Sequence, residues 1–259
     1  MNFRLGTTSY ILPAGLLENV GFLANSVQDM ELVLFDLEDG QTNIPSVEIV
    51  RAMRRIADES DFSYTVHLPL DLKWRDETGN EHQSLKMAQR TISATKDLHP
   101  IAYVAHLDGR LVSDWQNKTE KKNWQRQALL ALEKVADWAG GWEKISLENL
   151  EGYPLDYLDE LFLEVPIKRC VDIGHWWLDG HNPLKLLTNG INLERVSVIH
   201  IHGISHQGEA HHSLAYQSRV ELAEILSYLK TAGYSGVLTL EVFGIEDFQS
   251  SLRVIQEIL

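Results

Sequence analysis

The chain has 259 residues, 44% of them hydrophobic, with 7 Trp, 8 Tyr and 7 Phe. That fits one large packed domain or two ordinary ones and excludes fibrous and disordered classes. A formal net charge of −14 argues against nucleic acid as a partner, because gripping its backbone needs a basic face. A small substrate brought to bound cations suits the acidity better. Cys170 is the single cysteine, so no intramolecular disulfide forms. The opening MNFRLGTTSYILPAG carries no charged-then-apolar leader, and no apolar run approaches the length of a membrane span. The expectation is a cytoplasmic protein without a membrane partner.

Eight short apolar or β-branched runs recur, at 3–8, 32–37, 62–68, 101–106, 144–148, 168–173, 196–202 and 236–243. Most are apolar until their last residues, as parallel strands buried on both faces are. Helical patterns alternate with them. The first, 16–27, follows Pro13. The second, 45–57, carries Val47, Val50, Met53 and Ile56. Then come 84–98 and 123–139, the latter with Leu129, Leu130, Leu132 and Val135 opposite Lys and Glu. Shorter patterns at 153–163 and 183–187 precede 218–229, where Ser218 and Glu221 have the spacing of a capping box, and 245–259 closes the chain. An open doubly wound sheet also alternates. Eight β-then-α units in this length favour the (β/α)8 barrel of roughly 250 residues, so the expected class is α/β, a single-domain TIM barrel over 1–259. The irregular stretches 71–83 and 107–121 follow strands and would lie over the catalytic face. The second holds Arg110, Lys118, Lys121 and Lys122, either as a solvated loop and helix start or as a lid with cations for an anionic substrate.

In a barrel, strand C-terminal ends carry the active site. Here strand three ends in His67, strand four in His106 and strand five in Glu148-Asn149. Strand six gives Asp172 and His175, strand seven His200 and His202, and strand eight Glu241. His206, His211 and His212 follow strand seven, while His82, His99 and His181 fall outside the pattern and read as surface residues. Converging carboxylates repel one another unless cations stand between them. Imidazole mixed with carboxylate oxygen suits Zn, Mn, Fe or Co better than Mg or Ca. One to three divalent ions are expected.

These positions resemble the xylose isomerase-like barrels, which include endonuclease IV, and the resemblance spans the chain. It implies metal-binding Glu148 and Glu241 on strands five and eight, an Asp-x-x-His pair Asp172 and His175 on strand six, and His202 or His200 on strand seven. His202 is favoured by its spacing to His211-His212. The phosphodiester-cleaving branch adds histidines on strands three and four, matched by His67 and His106. His212 completes the set, with His211 standing where that branch has an Asp. Sugar isomerases and epimerases of this shape use one metal held by two Glu, an Asp and a His, so the extra pair points to a multinuclear hydrolytic site. A narrower resemblance lies in Gly6-Thr7-Thr8-Ser9-Tyr10-Ile11-Leu12-Pro13-Ala14 and Glu31-Leu32-Val33-Leu34-Phe35-Asp36. Both look like the start of the CbiR family of cobamide-remodelling phosphodiesterases, which attack the phosphoester linkage in the nucleotide loop of B12-type corrinoids.

The resemblance thus implies a metal-dependent phosphodiesterase whose substrate is a small phosphodiester, a cobamide in the narrower reading. Its catalytic residues would be Glu148, Glu241 and His202. Tyr10 and the residues before it, and Asp36 at the end of strand two, are placed to face substrate or to serve the turns they occupy. Trp74, Trp115, Trp176 and Trp177 offer surface for a large ring or pack the core and rim. The main alternative is a sugar isomerase or epimerase in which Glu148 and Glu241 exchange a proton with a carbon acid. An apurinic-site nuclease conflicts with the net charge, and a non-catalytic binding barrel conflicts with the intact donor set.

Overall fold

The computed structural model of the chain describes residues 2–36, 40–110 and 112–259. Its eight strands are β1 (Arg4–Thr8), β2 (Asp29–Val33), β3 (Ser63–His67), β4 (Tyr103–Ala105), β5 (Ile145–Glu148), β6 (Lys168–Asp172), β7 (Val196–Ile201) and β8 (Val237–Leu240). All pair in parallel with their sequence neighbours, and β8 closes on β1 from Arg4↔Val237 to Thr7↔Leu240. The result is a closed eight-stranded TIM barrel, as the sequence predicts.

Period-two alternation sorts the strand residues. Met30, Leu32, Tyr64, Val66, Leu147, Val171, Ile199 and Ile201 belong to one continuous apolar cluster that also takes in the helices. Ala102, Val104, Cys170 and Val198 form a separate apolar plug. Each fully buried aliphatic side chain contributes about 1.5–3 kcal/mol. The helices are α1 (Leu16–Leu23), α2 (Val47–Ser60), α3 (Gln83–Thr95), α4 (Lys118–Ala139), α5 (Asp159–Glu164), α6 (Ile173–Leu178), α7 (Pro183–Gly190), α8 (Arg219–Thr231) and α9 (Ile245–Ile258). Among the described residues, no helix is long and apolar enough to cross a membrane.

Several elements depart from the sequence reading. The second strand starts at Asp29, not 32, and Leu37, its expected end, lies outside the described residues. Asp29 and Glu31 disguise the strand because their carboxylates point into the barrel. Asp29 accepts from Ser63 Oγ at 2.6 Å and Thr65 Oγ1 at 2.9 Å, and Glu31 meets His200 at 3.0 Å. Helix α4 begins five residues before 123 because Asn117 accepts from the amides of Thr119 and Glu120. The short α6 follows β6 directly, with the Asp172 side chain accepting from His175 N. Half of the expected capping box forms. Ser218 accepts from Glu221 N, but the Glu221 carboxylate accepts from Trp177 Nε1 at 2.9 Å instead.

Asp29 is wholly buried, and burial lifts its carboxyl to about 7 despite the two hydroxyl donors. A raised folded-state pKa supplies stability that is full below the unfolded value near 3.8 and is lost as pH rises through about 7. Asp29→Asn, which cannot ionise, should therefore gain stability over the native chain as pH rises from about 5 to 8, by roughly 2–3 kcal/mol. Thermal melts at both pH values check this. A pH-independent difference would show that the Asp29 carboxyl is not raised in the fold.

Candidate metal centre

The site is assembled at the C-terminal ends of β3 to β8. From β3 and β4, His67 and His106 turn Nε2 toward Glu148 Oε2, at 3.4 and 3.2 Å. Their other nitrogens are anchored, His67 Nδ1 at 3.0 Å from the Leu68 carbonyl and His106 Nδ1 at 3.3 Å from Asp71. From β7, His200 points Nδ1 at Glu148 Oε2 (3.3 Å), Glu241 Oε2 (3.6 Å) and Asp172 Oδ2 (3.8 Å). Asp172 uses Oδ1 to accept from His175 N at 2.7 Å, which leaves Oδ2 for the site. His175 is held by Nδ1 against the Asn149 carbonyl at 2.9 Å. His202 lies with Nε2 3.6 Å from Asp172 Oδ1, in space that exists because residue 174 is glycine. A Cβ there would sit 2.1 Å from that nitrogen.

The donor atoms fall into groups whose members lie within 4.8 Å of one another. One is His67, His106 and Glu148. A second is Glu148, Asp172, His200 and Glu241, and a third is His175, His202 and His211. A further group joins Cys170 to Glu148 and His200, but this free thiol is buried in the apolar plug, and burial raises it well above its ordinary value. Among the described residues, thirteen buried side-chain nitrogen and oxygen atoms lack a hydrogen-bond partner. Eight of them are both oxygens of Glu148, Asp172 Oδ2, Glu241 Oε2, His106 Nε2, His200 Nδ1, His202 Nε2 and His211 Nδ1. Leaving such atoms unpaired is costly, and all eight belong to the donor groups. The residues present therefore fit divalent cations.

The protein's own charges point the same way. Burial alone would raise Glu148, but the imidazoles of His200 and His106 hold it well below the usual carboxylate range. Glu241 is likewise depressed against its burial, by His200 and His211. Burial, with the charges of Glu241 and Glu148, lifts Asp172 to about 7 against the pull of His175. Burial disfavours the charged form of His106 and His175, yet neighbouring carboxylates lift them to about 10 and 9. His202 is the exception, pushed by burial down to about 4. Protonated imidazoles balance the carboxylates wherever no metal does so.

Of the sequence-predicted residues, His67, His106, Glu148, Asp172, His175, His202 and Glu241 converge here. His212 does not join them. Its Nδ1 lies 3.2 Å from Asp247 and its Nε2 3.6 Å from Glu209. His211 takes the inward place, adopting φ 61 and lying with Nδ1 3.4 Å from Glu241. The strand-seven donor that meets both glutamates is His200, whereas the favoured His202 joins the histidine group. Asp36 pairs with Arg90 and is not among the residues lining the donor cavity. Trp176 is buried in the core, Trp177 bonds Glu221, and Trp115 packs among Trp124, Tyr153 and Tyr157. Trp74 lies between Arg75 and Lys134. Of the loop cations, Arg110 is paired with Asp108 and Asp71, and Lys121 with Asp156. Lys118, Lys121 and Lys122 line a separate groove with Glu160 and Glu164.

Sequence reasoning missed Glu31. It is fully buried, its Oε2 is 3.0 Å from His200 Nε2, and it thereby fixes the ring so that Nδ1 faces the donors. Glu31→Gln should weaken divalent-ion binding roughly 10- to 100-fold while leaving the circular dichroism spectrum unchanged. An unaltered dissociation constant in equilibrium dialysis would remove Glu31 from this role.

A family model described as the xylose isomerase-like TIM barrel matches residues 25–258. The chain belongs to this family. Solved structures similar to it include a D-tagatose 3-epimerase-like protein, 19% identical with TM-score 0.75, over 99% of this chain and 97% of that one. Endonuclease IV from Thermus thermophilus is also 19% identical with TM-score 0.73, over 98% of both chains. An IolI protein holding a zinc atom is 16% identical with TM-score 0.69, over 99% and 98%. No curated protein matches the sequence. Barrels of this fold thus occur among proteins named for different chemistries, so this chain's function has to be argued from its own site.

Proposed function

We propose that this barrel is a metal-dependent phosphodiesterase acting on a small diester, with a cobamide nucleotide loop as the working substrate. One observation carries the reaction class: Glu148 belongs both to the His67–His106 group and to the Asp172–His200–Glu241 group, with a third group of histidines beside them. A single-ion site needs only the four-residue group, and the additional donors suit several ions around one scissile phosphate. When bound, such ions activate a water and offset charge on the phosphoryl oxygens. Zn, Mn, Fe or Co fits the donor chemistry.

The chain's own groups orient and exclude. Glu148, buried and stripped of hydrogen bonds, bridges two donor groups. His67 and His106 are fixed in angle by Leu68 and Asp71. His211, a third exposed beside Glu241, would complete the histidine group with His175 and His202. The cobamide assignment rests on the likeness of the 6–14 and 31–36 segments to the CbiR family. Metal-reconstituted protein incubated with adenosylcobamide should release a cobinamide-type corrinoid by liquid chromatography and mass spectrometry, and chelation should abolish the release. Absence of cleavage with metal demonstrably bound would overturn the corrinoid reading.

The second reading is a sugar isomerase or epimerase. It is favoured by the completeness of the Glu148, Asp172, His200 and Glu241 set for one ion, with the two glutamates as the proton-handling pair. His67→Ala with His106→Ala separates the two. An epimerase keeps its rate, whereas a phosphodiesterase loses both an ion and its activity.

A further inference from the structure

The donor groups open into a cavity of about 410 Å³ whose lining is divided in character. Asp71 and Glu151 are among its lining residues, Asp71 beside His106 and Glu151 beside His175, and Val33, Leu150 and Phe243 supply apolar surface. No Lys or Arg is among its described lining residues, and the neighbouring Arg110 is occupied by Asp108 and Asp71. Phe243 follows Glu241 by two residues and remains 45% exposed, and Tyr10 beside it is 38% exposed. Their rings meet edge-on with centroids 6.4 Å apart. Phe243 also lies edge-on to His211 at 5.4 Å, so the aromatic surface abuts the donors. Tyr10 is fixed in place, its hydroxyl accepting from Asn43 Nδ2 at 3.1 Å, and Asn43 in turn bonds Val33 and Phe35.

Two half-exposed aromatic rings held rigidly beside a polar centre add little to the core. They offer an angled apolar surface against which a ligand ring can pack. A polyanion, by contrast, would bring its next phosphate toward Asp71 and Glu151, with no Lys or Arg among the described lining residues to receive it. We propose that Phe243 and Tyr10 form a subsite for a planar, uncharged aromatic group attached next to the phosphoryl centre. The inference rests on the phosphodiesterase reading and narrows it to monoanionic esters bearing an aryl or heteroaryl group, with polyanionic nucleic acid excluded.

The test measures binding, not turnover. Zinc-loaded full-length protein is titrated calorimetrically with phenylphosphonate and with methylphosphonate, which share the head group and differ in the ring. The phenyl ligand should bind about 5- to 10-fold tighter. Phe243→Ala should abolish that preference without altering methylphosphonate affinity, Tyr10→Ala should reduce it, and Phe243→Trp should preserve it. Equal affinities in the native protein, or a preference that survives both alanine variants, would overturn the subsite. Hydrolysis of bis(4-nitrophenyl) phosphate is followed in parallel. No turnover alongside an intact phenyl preference removes the phosphodiesterase reading and leaves the subsite standing. Turnover without a phenyl preference does the opposite.

Discussion

Glu148→Gln should lower turnover on the order of a thousand-fold or more and reduce the number of ions bound. The side chain is 1% exposed, neither oxygen has a hydrogen bond, and its oxygens belong to two donor groups at once. The amide keeps the volume but loses the charge and one lone-pair oxygen. Its NH2 would face His67, His106 and His200 nitrogens that also face inward. Metal analysis after gel filtration, together with the rate, checks the prediction. A variant with full metal content and a near-native rate would show that Glu148 does not bridge. The same change should do little harm to the fold, because Tyr157 bonds the Glu148 backbone carbonyl at 3.0 Å, not its side chain.

Stripping the metal should cost the protein roughly 5–10 °C in melting temperature. An ion present at about a hundred times its dissociation constant adds about 2.7 kcal/mol, and each kcal/mol moves the midpoint of a chain this size by roughly 2–4 °C. The direction also follows from charge. With no ion, Glu148, Asp172 and Glu241 are balanced only by protons on imidazoles, and His106 and His175 hold theirs up to about 10 and 9. Metal entry must displace those protons, so binding should release protons and weaken as pH falls. Melts with and without chelator, and calorimetry in buffers of different ionisation enthalpy, measure both effects. A midpoint that chelation leaves unmoved would mean the donors are satisfied without cations.

Six of the eight strands could be read to within a residue or two from their apolar runs, five of them with His, Asp or Glu at the end. The second could not, because Asp29 and Glu31 look like solvent-facing residues and only the closed barrel gives them Ser63, Thr65 and His200 as partners. The site was legible as a set of strand ends, but two choices were not. His200 and His202 share a strand face by parity, so spacing alone does not say which meets the glutamates. Between His211 and His212 the decision lies in a left-handed backbone at His211. There the loop folds back so tightly on Gly203 that a Cβ would fall 1.9 Å from the Ser213 carbonyl. The tryptophans misled because an aromatic near a strand end packs as readily as it binds.

The order in which β1 and β8 meet has a consequence for how the protein matures. The seam Arg4↔Val237 joins nearly opposite ends of the chain, the kind of long loop closure that comes late in folding. Glu241 is delivered by that same seam, while its partners Glu148, Asp172 and His200 come from strands already paired in sequence order. A ribosome-bound or truncated chain lacking β8 would hold an open-sided donor set, and an ion captured after closure would tie the end of β8 to those of β5, β6 and β7. Tight metal retention would then report that the last strand has arrived, and loss of metal would loosen its hold on the three strands before it.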